Sequence, residues 1–516
     1  MAGETAAGRD TATAKRARPF QQPRFYNTLG RELVAFEPLV AGEARVYTCG
    51  PTVYNHVHVG NLRTFLFEDV LRRALSWLGY RVTQVMNLTD VDDKTIEGAR
   101  RAGVTLDEYT APYVESFFAD LDTLHVERAE RYPRATEHVA EMIELVERLL
   151  AAGVAYERDG SVFFRIADDP DYGRLSGIDL DAVRRGDRVA SDEYGKEDVR
   201  DFVLWKAAKP DEPSWESPWG PGRPGWHIEC SAMSMKYLGE TFDVHTGGVD
   251  NVFPHHENEI AQSESATGRP FARLWLHSEH LIVDGEKMSK SLGNQYTLGD
   301  LLARGVDPRA LRYLFVSVHY RQKLNFTFAS LEAAGNALAR VDEMRFRLDH
   351  AAESGRPRPA LAEALARADR DFAAALADDL NVAAALAAVF NLVRQVNVAI
   401  ESGELGEGDR RRVLATLASF DRVLGVLDLA AWRRPDAAPA GPTDEEVESL
   451  IARRAEARAN RDWAGADRLR DELAAAGIVL VDTPAGPRWE RGLGRPARSA
   501  RLTPLPAPAA PPPGGG

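Results

Sequence analysis

At 516 residues the chain exceeds the size at which a single hydrophobic core stops growing, so two to four domains of roughly 100–200 residues are expected. Its 44% hydrophobic and 28% charged content is ordinary, and no run of about 18 consecutive apolar residues is present, so no membrane insertion is expected. A net charge of −14 argues against general affinity for nucleic acid, because such binding needs Lys and Arg to neutralise phosphates; a nucleic-acid partner must meet local basic patches.

In chain order, residues 1–22 begin MAGETAAGRDTATAKRARP, which has no apolar core of a signal peptide; a disordered leader and a cytoplasmic location are expected. With two cysteines in a reducing compartment, no disulfide is expected. A strand at Arg45-Val46-Tyr47-Thr48 leads into CGPTVYNHVHVGN at 49–61. A helix over 62–78 then places Leu62, Phe65, Leu66, Val70, Leu71 and Leu75 near the 3.6 period and stops at Gly79. Residues 81–87 read as a second strand, giving a parallel βαβ unit of right-handed crossover, half a nucleotide-binding fold.

An insertion at about 110–205 mixes helical and hairpin text and looks too short and too helical for a separate hydrolytic domain. A Pro/Gly/Trp-dense loop follows at 210–225. Strand-like runs at 242–245 and 274–277 then supply the second half of the sheet, so residues 23–306 form an α/β, Rossmann-like, doubly wound domain. Residues 307–432, with helices at 361–377 and 382–402, form an α-helical bundle domain. A Pro/Ala linker at 433–442 precedes a small C-terminal module at 443–490, helical over 445–476 with a strand at 478–482. The Pro/Gly-rich tail, 500–516, is expected to be disordered.

Three groups of residues carry chemistry. In DNVFPHHENEIAQSE, Asp250 or Asn251 can cap a helix and Pro254 suits its first turn, which sets His255 and Glu259 four apart on one face. The thiols Cys49 and Cys230 both lie near glycines. Two thiolates, an imidazole and a carboxylate suit zinc, and two unrelated buried thiols remain the alternative. In DGEKMSKSLGN, Lys287 and Lys290 stand three apart in a glycine-flanked loop; they either clamp a polyphosphate or decorate a solvated surface. The terminal module holds Arg453, Arg454, Arg458, Arg461, Arg468 and Arg470 around Trp463, with Arg488, Arg491, Arg495 and Arg498 beyond. These arginines suit unpaired bases or, alternatively, form solvated intrahelical pairs with Glu.

His58-Val59-Gly60-Asn61 and Lys287-Met288-Ser289-Lys290-Ser291 resemble the two signature motifs of class I aminoacyl-tRNA synthetases. CGPTVY, GWHIECSAM and FPHHENEIAQSE resemble the cysteinyl branch in particular, and the likeness runs from about 23 to 489. The resemblance implies one zinc ion held by Cys49, Cys230, His255 and Glu259. It places His58, Gly60 and Asn61 at the nucleotide, with Lys290 and Lys287 on its phosphates, and Thr52, Trp226, His245 and Asp250 on the amino acid. The activity implied is cysteine activation by ATP, with Mg²⁺, and transfer to the terminal adenosine of tRNA(Cys), by a chain expected to be monomeric. The terminal module would bind the anticodon.

The motif departs from the family at Asn61, where a second histidine is usual in class I; His56 and Thr246 also depart, and the pocket near Thr246 is less defined for that reason. The nearest alternative is a ligase joining cysteine to an amino sugar on the same sites. Its relatives lack the terminal module, and the roughly 200 residues after Arg312 favour the synthetase. A non-catalytic descendant that binds RNA predicts damaged phosphate motifs, and both are intact.

Overall fold

Glu43–Thr48 and Arg81–Met86 alternate in burial over their first halves and are buried on both faces over their last three residues, as suits parallel strands whose carboxyl ends lie inside the fold. In the computed structural model, which describes residues 21–178, 200–289, 292–353, 359–432, 442–483 and 486–491, they pair in parallel. Glu43–Thr48 also pairs in parallel with Phe242–Gly248, and that strand pairs with Ala272–Ser278. The sheet therefore grows in opposite directions from its centre, the doubly wound arrangement expected, and the order reverses between Glu43–Thr48 and Phe242–Gly248. A crevice at the carboxyl ends of two strands that part in this way is where such folds bind ligands.

Helix Val59–Trp77 makes the first crossover and buries Leu62, Phe65, Leu66, Val70 and Leu71. It begins earlier than its apolar spacing indicates, because the start is set by caps. The His58 ring accepts the Asn61 N–H at 3.3 Å, and the Asn61 side chain accepts the His58 N–H at 3.2 Å.

The insertion is less helical than expected. Besides helices Leu106–Thr123 and Val139–Ala151 it contains a four-stranded antiparallel sheet of Ala155–Arg158, Ser161–Phe164, Phe202–Ala207 and Gly222–Pro224. The last of these strands lies inside the stretch read as loop, so the insertion runs past Trp205. Lys206 and Arg223, both buried, tie this sheet to Asp93, with Lys206 Nζ at 2.7 Å from the carboxylate.

Helices Pro308–Ser317, Phe328–His350, Pro359–Ala377, Val382–Glu401 and Asp409–Leu424 form the bundle. Its core is continuous with that of helix Val59–Trp77: Leu66, Val70, Leu311, Leu376, Leu417 and Phe420 belong to one buried cluster. Arg312 stands at that junction. Fully buried, it pairs with Asp69 at 2.6 Å and donates to the Leu124 carbonyl at 2.8 Å and the Leu424 carbonyl at 2.9 Å. Val382–Glu401 is long and apolar enough to cross a membrane by length and composition, and its Leu386, Val389, Val393 and Val396 are buried within the bundle.

The terminal module has its own small core of Val447, Ile451, Leu473 and Ile478. The helical stretch expected there consists of two helices, Asp444–Ala459 and Trp463–Ala475. The break comes at Arg461, which takes a left-handed φ of 59°, and at Asp462, whose side chain caps the Gly465 N–H at 2.9 Å. Strand Ile478–Thr483 has an antiparallel partner, Gly486–Arg491, that was not anticipated. Among the arginines read as a base-binding face, Arg454 is instead buried, while Arg453, Arg458, Arg461, Arg468 and Arg470 are exposed and Trp463 is 60% exposed. Residues 1–20 of the leader, most of the linker, the tail 500–516, Arg495, Arg498, Lys290 and Ser291 lie outside the described residues.

Candidate active site and metal centre

At the switch point the carboxyl ends of Glu43–Thr48 and Phe242–Gly248 part around a cleft of ≈ 530 Å³. Cys49, Thr52, His58 and Asn61 line it from one side. Trp226 and Cys230, on helix Trp226–Leu238, and Asp250 and His255, in the segment after Phe242–Gly248, line it from the other. The N-terminus of helix Val59–Trp77 presents its positive end here, which favours phosphate.

The segment after the second motif reaches the same wall: Gln295 and Thr297 line the cleft, and the Val59 N–H donates to the Tyr296 carbonyl at 2.9 Å. Gly60 permits this approach, because a Cβ there would stand 2.6 Å from Met288 Cε and 3.0 Å from the His58 ring. The loop closes on itself through Asn294, which accepts the Ser289 N–H at 2.8 Å and donates to the Lys287 carbonyl at 3.3 Å. Lys287 is exposed and does not line the cleft.

On the floor of the cleft, one donor atom each from Cys49, Cys230, His255 and Glu259 lie within 4.8 Å of one another, all four side chains buried. His255 Nε2 is 3.0 Å from Glu259 Oε1, and Cys49 Sγ is 3.8 Å from the same oxygen. The two histidine-bearing turns differ from the regular helix start expected at Pro254. Phe253 is extended (φ −138°, ψ 132°), and the straight helix is Glu257–Thr267, yet His255 and Glu259 still face one another.

A second set, Cys49, His245, His256 and Glu259, is equally close. Cys49, Cys230 and His255 line the cleft, whereas His245 and His256 do not. A metal on the first set keeps a coordination position open to a substrate; on the second it would be sealed beneath the floor.

The electrostatics are dominated by burial. Burial pushes the Cys49 thiol up, and neighbouring Cys230 and Glu259 add to the shift; burial also raises Glu259 to about 7 against the pull of His255. Burial lowers His245, His255 and His256, and takes His277 down to about 3. Two sulfurs, an imidazole and a carboxylate buried together form a donor set that fits a divalent, thiophilic metal.

The other residues singled out in the sequence are also placed. Trp226, 41% exposed, stacks on His255 with ring centroids 4.3 Å apart. His245 lies behind the floor, its Nε2 2.9 Å from Glu259 Oε2 and its ring stacked on Trp275, so it holds the Glu259 carboxylate rather than facing the cleft. Sequence reasoning overlooked His256, whose Nε2 is 3.2 Å from Cys49 Sγ and whose Nδ1 is 2.8 Å from His277 Nε2. It also overlooked His227, 2.9 Å from His255. The adjacent His-His pair was the available signal. Thr246, an irregular residue in its motif, has a partner: its hydroxyl donates to buried Glu68 at 3.0 Å.

Comparison with known proteins agrees with this geometry. Residues 35–336 match the family described as tRNA synthetases class I (C) catalytic domain, 371–428 the DALR domain, and 441–489 the cysteinyl-tRNA ligase anticodon binding domain. A cysteine–tRNA ligase of Solibacter usitatus is 50% identical over 468 residues, 91% of this chain and 99% of that one. One from Chlamydia pneumoniae is 48% identical over 90% of this chain and 97% of that one. The solved methionyl-tRNA synthetase of Mycobacterium tuberculosis with methionyl-adenylate covers 75% of this chain and 90% of its own at a TM-score of 0.54; at 19% identity that likeness concerns the fold.

Proposed function

Because the chain belongs to the cysteine–tRNA ligase family of class I aminoacyl-tRNA synthetases and charges tRNA(Cys) with cysteine, we propose that the cleft between the two sheet halves is where both steps occur, with zinc as the metal on its floor. The observation that supports this is the convergence of Cys49, Cys230, His255 and Glu259 within 4.8 Å beneath a cleft walled by His58. The terminal module, matched at 441–489, is the part an amino-sugar ligase would lack, and its assigned role is the anticodon.

In activation the cysteine carboxylate is itself the nucleophile at the α-phosphate, and pyrophosphate leaves, so no general base is required. The work is in-line positioning and stabilisation of charge. His58, the amide end of helix Val59–Trp77 and Gly60 seat the nucleotide, which enters as its magnesium complex. Lys287 and Lys290 reach the leaving phosphates when the loop folds over the cleft. Thr52, Trp226 and Asp250 hold the amino acid's two charged ends. His245 and His256 keep Glu259 and Cys49 in place from below. A zinc ion bound by Cys49, Cys230, His255 and Glu259 supplies a soft Lewis acid that prefers thiolate to the hydroxyl of serine. In transfer, a ribose hydroxyl of the terminal adenosine attacks the adenylate carbonyl and AMP departs.

Cys230→Ser tests the assignment. Metal content by mass spectrometry is expected to fall, the KM for cysteine in pyrophosphate exchange to rise far more than that for ATP, and discrimination against serine to shrink towards the ~1–3 kcal/mol that shape alone supplies. A variant with full zinc and full selectivity would remove Cys230 from the site.

A further inference from the structure

The floor and the nucleotide wall account for one side of the cleft; its mouth towards the insertion is built differently. Tyr54, Asn55, His56 and Lys94 line it there, and Asn55, His56 and Lys94 are exposed. Lys94 Nζ rides over the Tyr54 ring at 4.8 Å from the centroid. The Tyr54 carbonyl accepts the Tyr109 hydroxyl at 3.1 Å, Tyr109 meets Tyr113 edge to face at 5.4 Å, and Tyr113 meets His56 in the same way at 5.3 Å. Four rings and an ammonium thus form a continuous edge.

The edge is held in place. A Cβ on Gly98 would stand 2.2 Å from the Tyr109 ring, so Tyr109 lies directly on the backbone of helix Asp93–Ala102. That helix is pinned at its first residue, where buried Lys206 and Arg223 hold Asp93, one position before Lys94. His56 Nδ1 is 2.7 Å from Ser116 Oγ on helix Leu106–Thr123. Arg100 and Arg101 occupy the last turn of helix Asp93–Ala102.

A chain of net charge −14 must meet a polyanion at local positive sites. Rings interleaved with cationic side chains suit unpaired nucleotides, whose bases stack on aromatic faces while their phosphates meet lysine and arginine. The cleft, ≈ 530 Å³, has to hold an aminoacyl-adenylate and the terminal adenosine, so the nucleotides before that adenosine must lie at its mouth.

We infer that the Tyr54–His56–Lys94 rim, backed by Tyr109 and Tyr113, is the platform on which the unpaired 3′ end of the tRNA stacks as its terminal adenosine enters the cleft. The inference rests on the synthetase function proposed above. It assigns the rim to the second step alone, since cysteine and ATP are bound elsewhere in the cleft.

The test uses the full-length, metal-loaded enzyme and the triple variant Tyr54→Ala, His56→Ala, Lys94→Ala. Cysteine-dependent pyrophosphate exchange is expected to stay within about twofold of the parent, while kcat/KM for tRNA falls on the order of tenfold or more. A tRNA carrying 2-aminopurine at the penultimate nucleotide should be quenched by the parent and not by the variant. Restoring a ring with His56→Phe in place of His56→Ala should recover part of both signals. Unchanged tRNA kinetics and quenching in the variant would overturn the platform. Equal loss of exchange and charging would also overturn it, by making the rim a support of the cleft. A parent that shows no cysteine-dependent exchange would instead defeat the proposed function itself.

Discussion

Arg312→Leu removes a side chain with no contact to the cleft, and its cost can be worked from the partners left behind. Arg312 is fully buried and joins three elements: Asp69 at 2.6 Å, the Leu124 carbonyl at 2.8 Å and the Leu424 carbonyl at 2.9 Å. Burial lowers its own pKa against the pull of Asp69, and the His125 carbonyl, at 3.0 Å, also accepts from it. Breaking a buried pair typically costs about 3–5 kcal/mol. Here the lower end applies, because Asp69 keeps Arg73, at 2.8 Å, and the Glu127 N–H, at 2.7 Å. The Leu124 and Leu424 carbonyls lose a donor, at about 1 kcal/mol or more each. The sum is about 4–6 kcal/mol, comparable with the whole stability of many domains.

Asp69→Asn keeps Arg312 on its carbonyls and is expected to cost less. Urea unfolding followed by far-ultraviolet circular dichroism and by tryptophan fluorescence provides the assay. Both probes should shift together, because one core spans the sheet helix and the bundle. A loss below about 1 kcal/mol, or a shift in only one probe, would refute the view of Arg312 as the junction.

Other outcomes follow from the same structure. Lys290→Ala is expected to keep its zinc and fold while lowering pyrophosphate exchange at least about tenfold, roughly 1.4 kcal/mol of charge stabilisation; unchanged exchange would remove its role. Deleting residues 443–516 should spare cysteine activation and cripple tRNA charging, since the module has a separate core; proportional loss of both would make it structural. Burial lifts Glu68 to about 8, so its neutral form is worth most below its unfolded value of 4.5. That contribution drains away as pH rises from there to about 8, at about 1.4 kcal/mol per unit. Glu68→Gln should therefore melt higher than the parent at pH 8.5 and lose that advantage by pH 5, and a constant gap across this range would count against the protonated carboxyl.

The nucleotide-binding half was legible because its strands are buried on both faces and its helix has a clean apolar stripe. The start of that helix was not, since His58 and Asn61 cap each other and neither is apolar. The insertion's sheet escaped notice for a different reason. Ser161–Phe164 pairs with Phe202–Ala207, which is distant in sequence, and Gly222–Pro224 has neither the length nor the composition of an independent strand. At the site, spacing offered His255 and Glu259 as a pair with the chain's two thiols as their partners, and the resemblance named the same four. His245 was recognised as important without its position, because whether a buried imidazole faces a substrate or a ligand's carboxylate depends on packing around Trp275 and Glu259. Arg312 gave no sign of burial. An arginine in a helix reads as surface until the carboxylates and carbonyls that surround it are known.

The four donors on the cleft floor also have an order in time. Cys49 leaves the ribosome about 210 residues before Glu259. Cys230, the next of the four, follows Cys49 by 181 residues, so at translation speeds of about 5–20 residues per second roughly 9–36 s pass in which the first thiol exists without the other three donors. During that interval the strand that ends at Cys49 can pair with Arg81–Met86 but not with Phe242–Gly248, which is still unmade. The nascent chain therefore carries the Cys49 thiol at the open edge of half a sheet. Phe242–Gly248 lies in the chain between Cys230 and the pair His255 and Glu259, so the edge is covered and the four donors can meet only near the end of this stretch of synthesis.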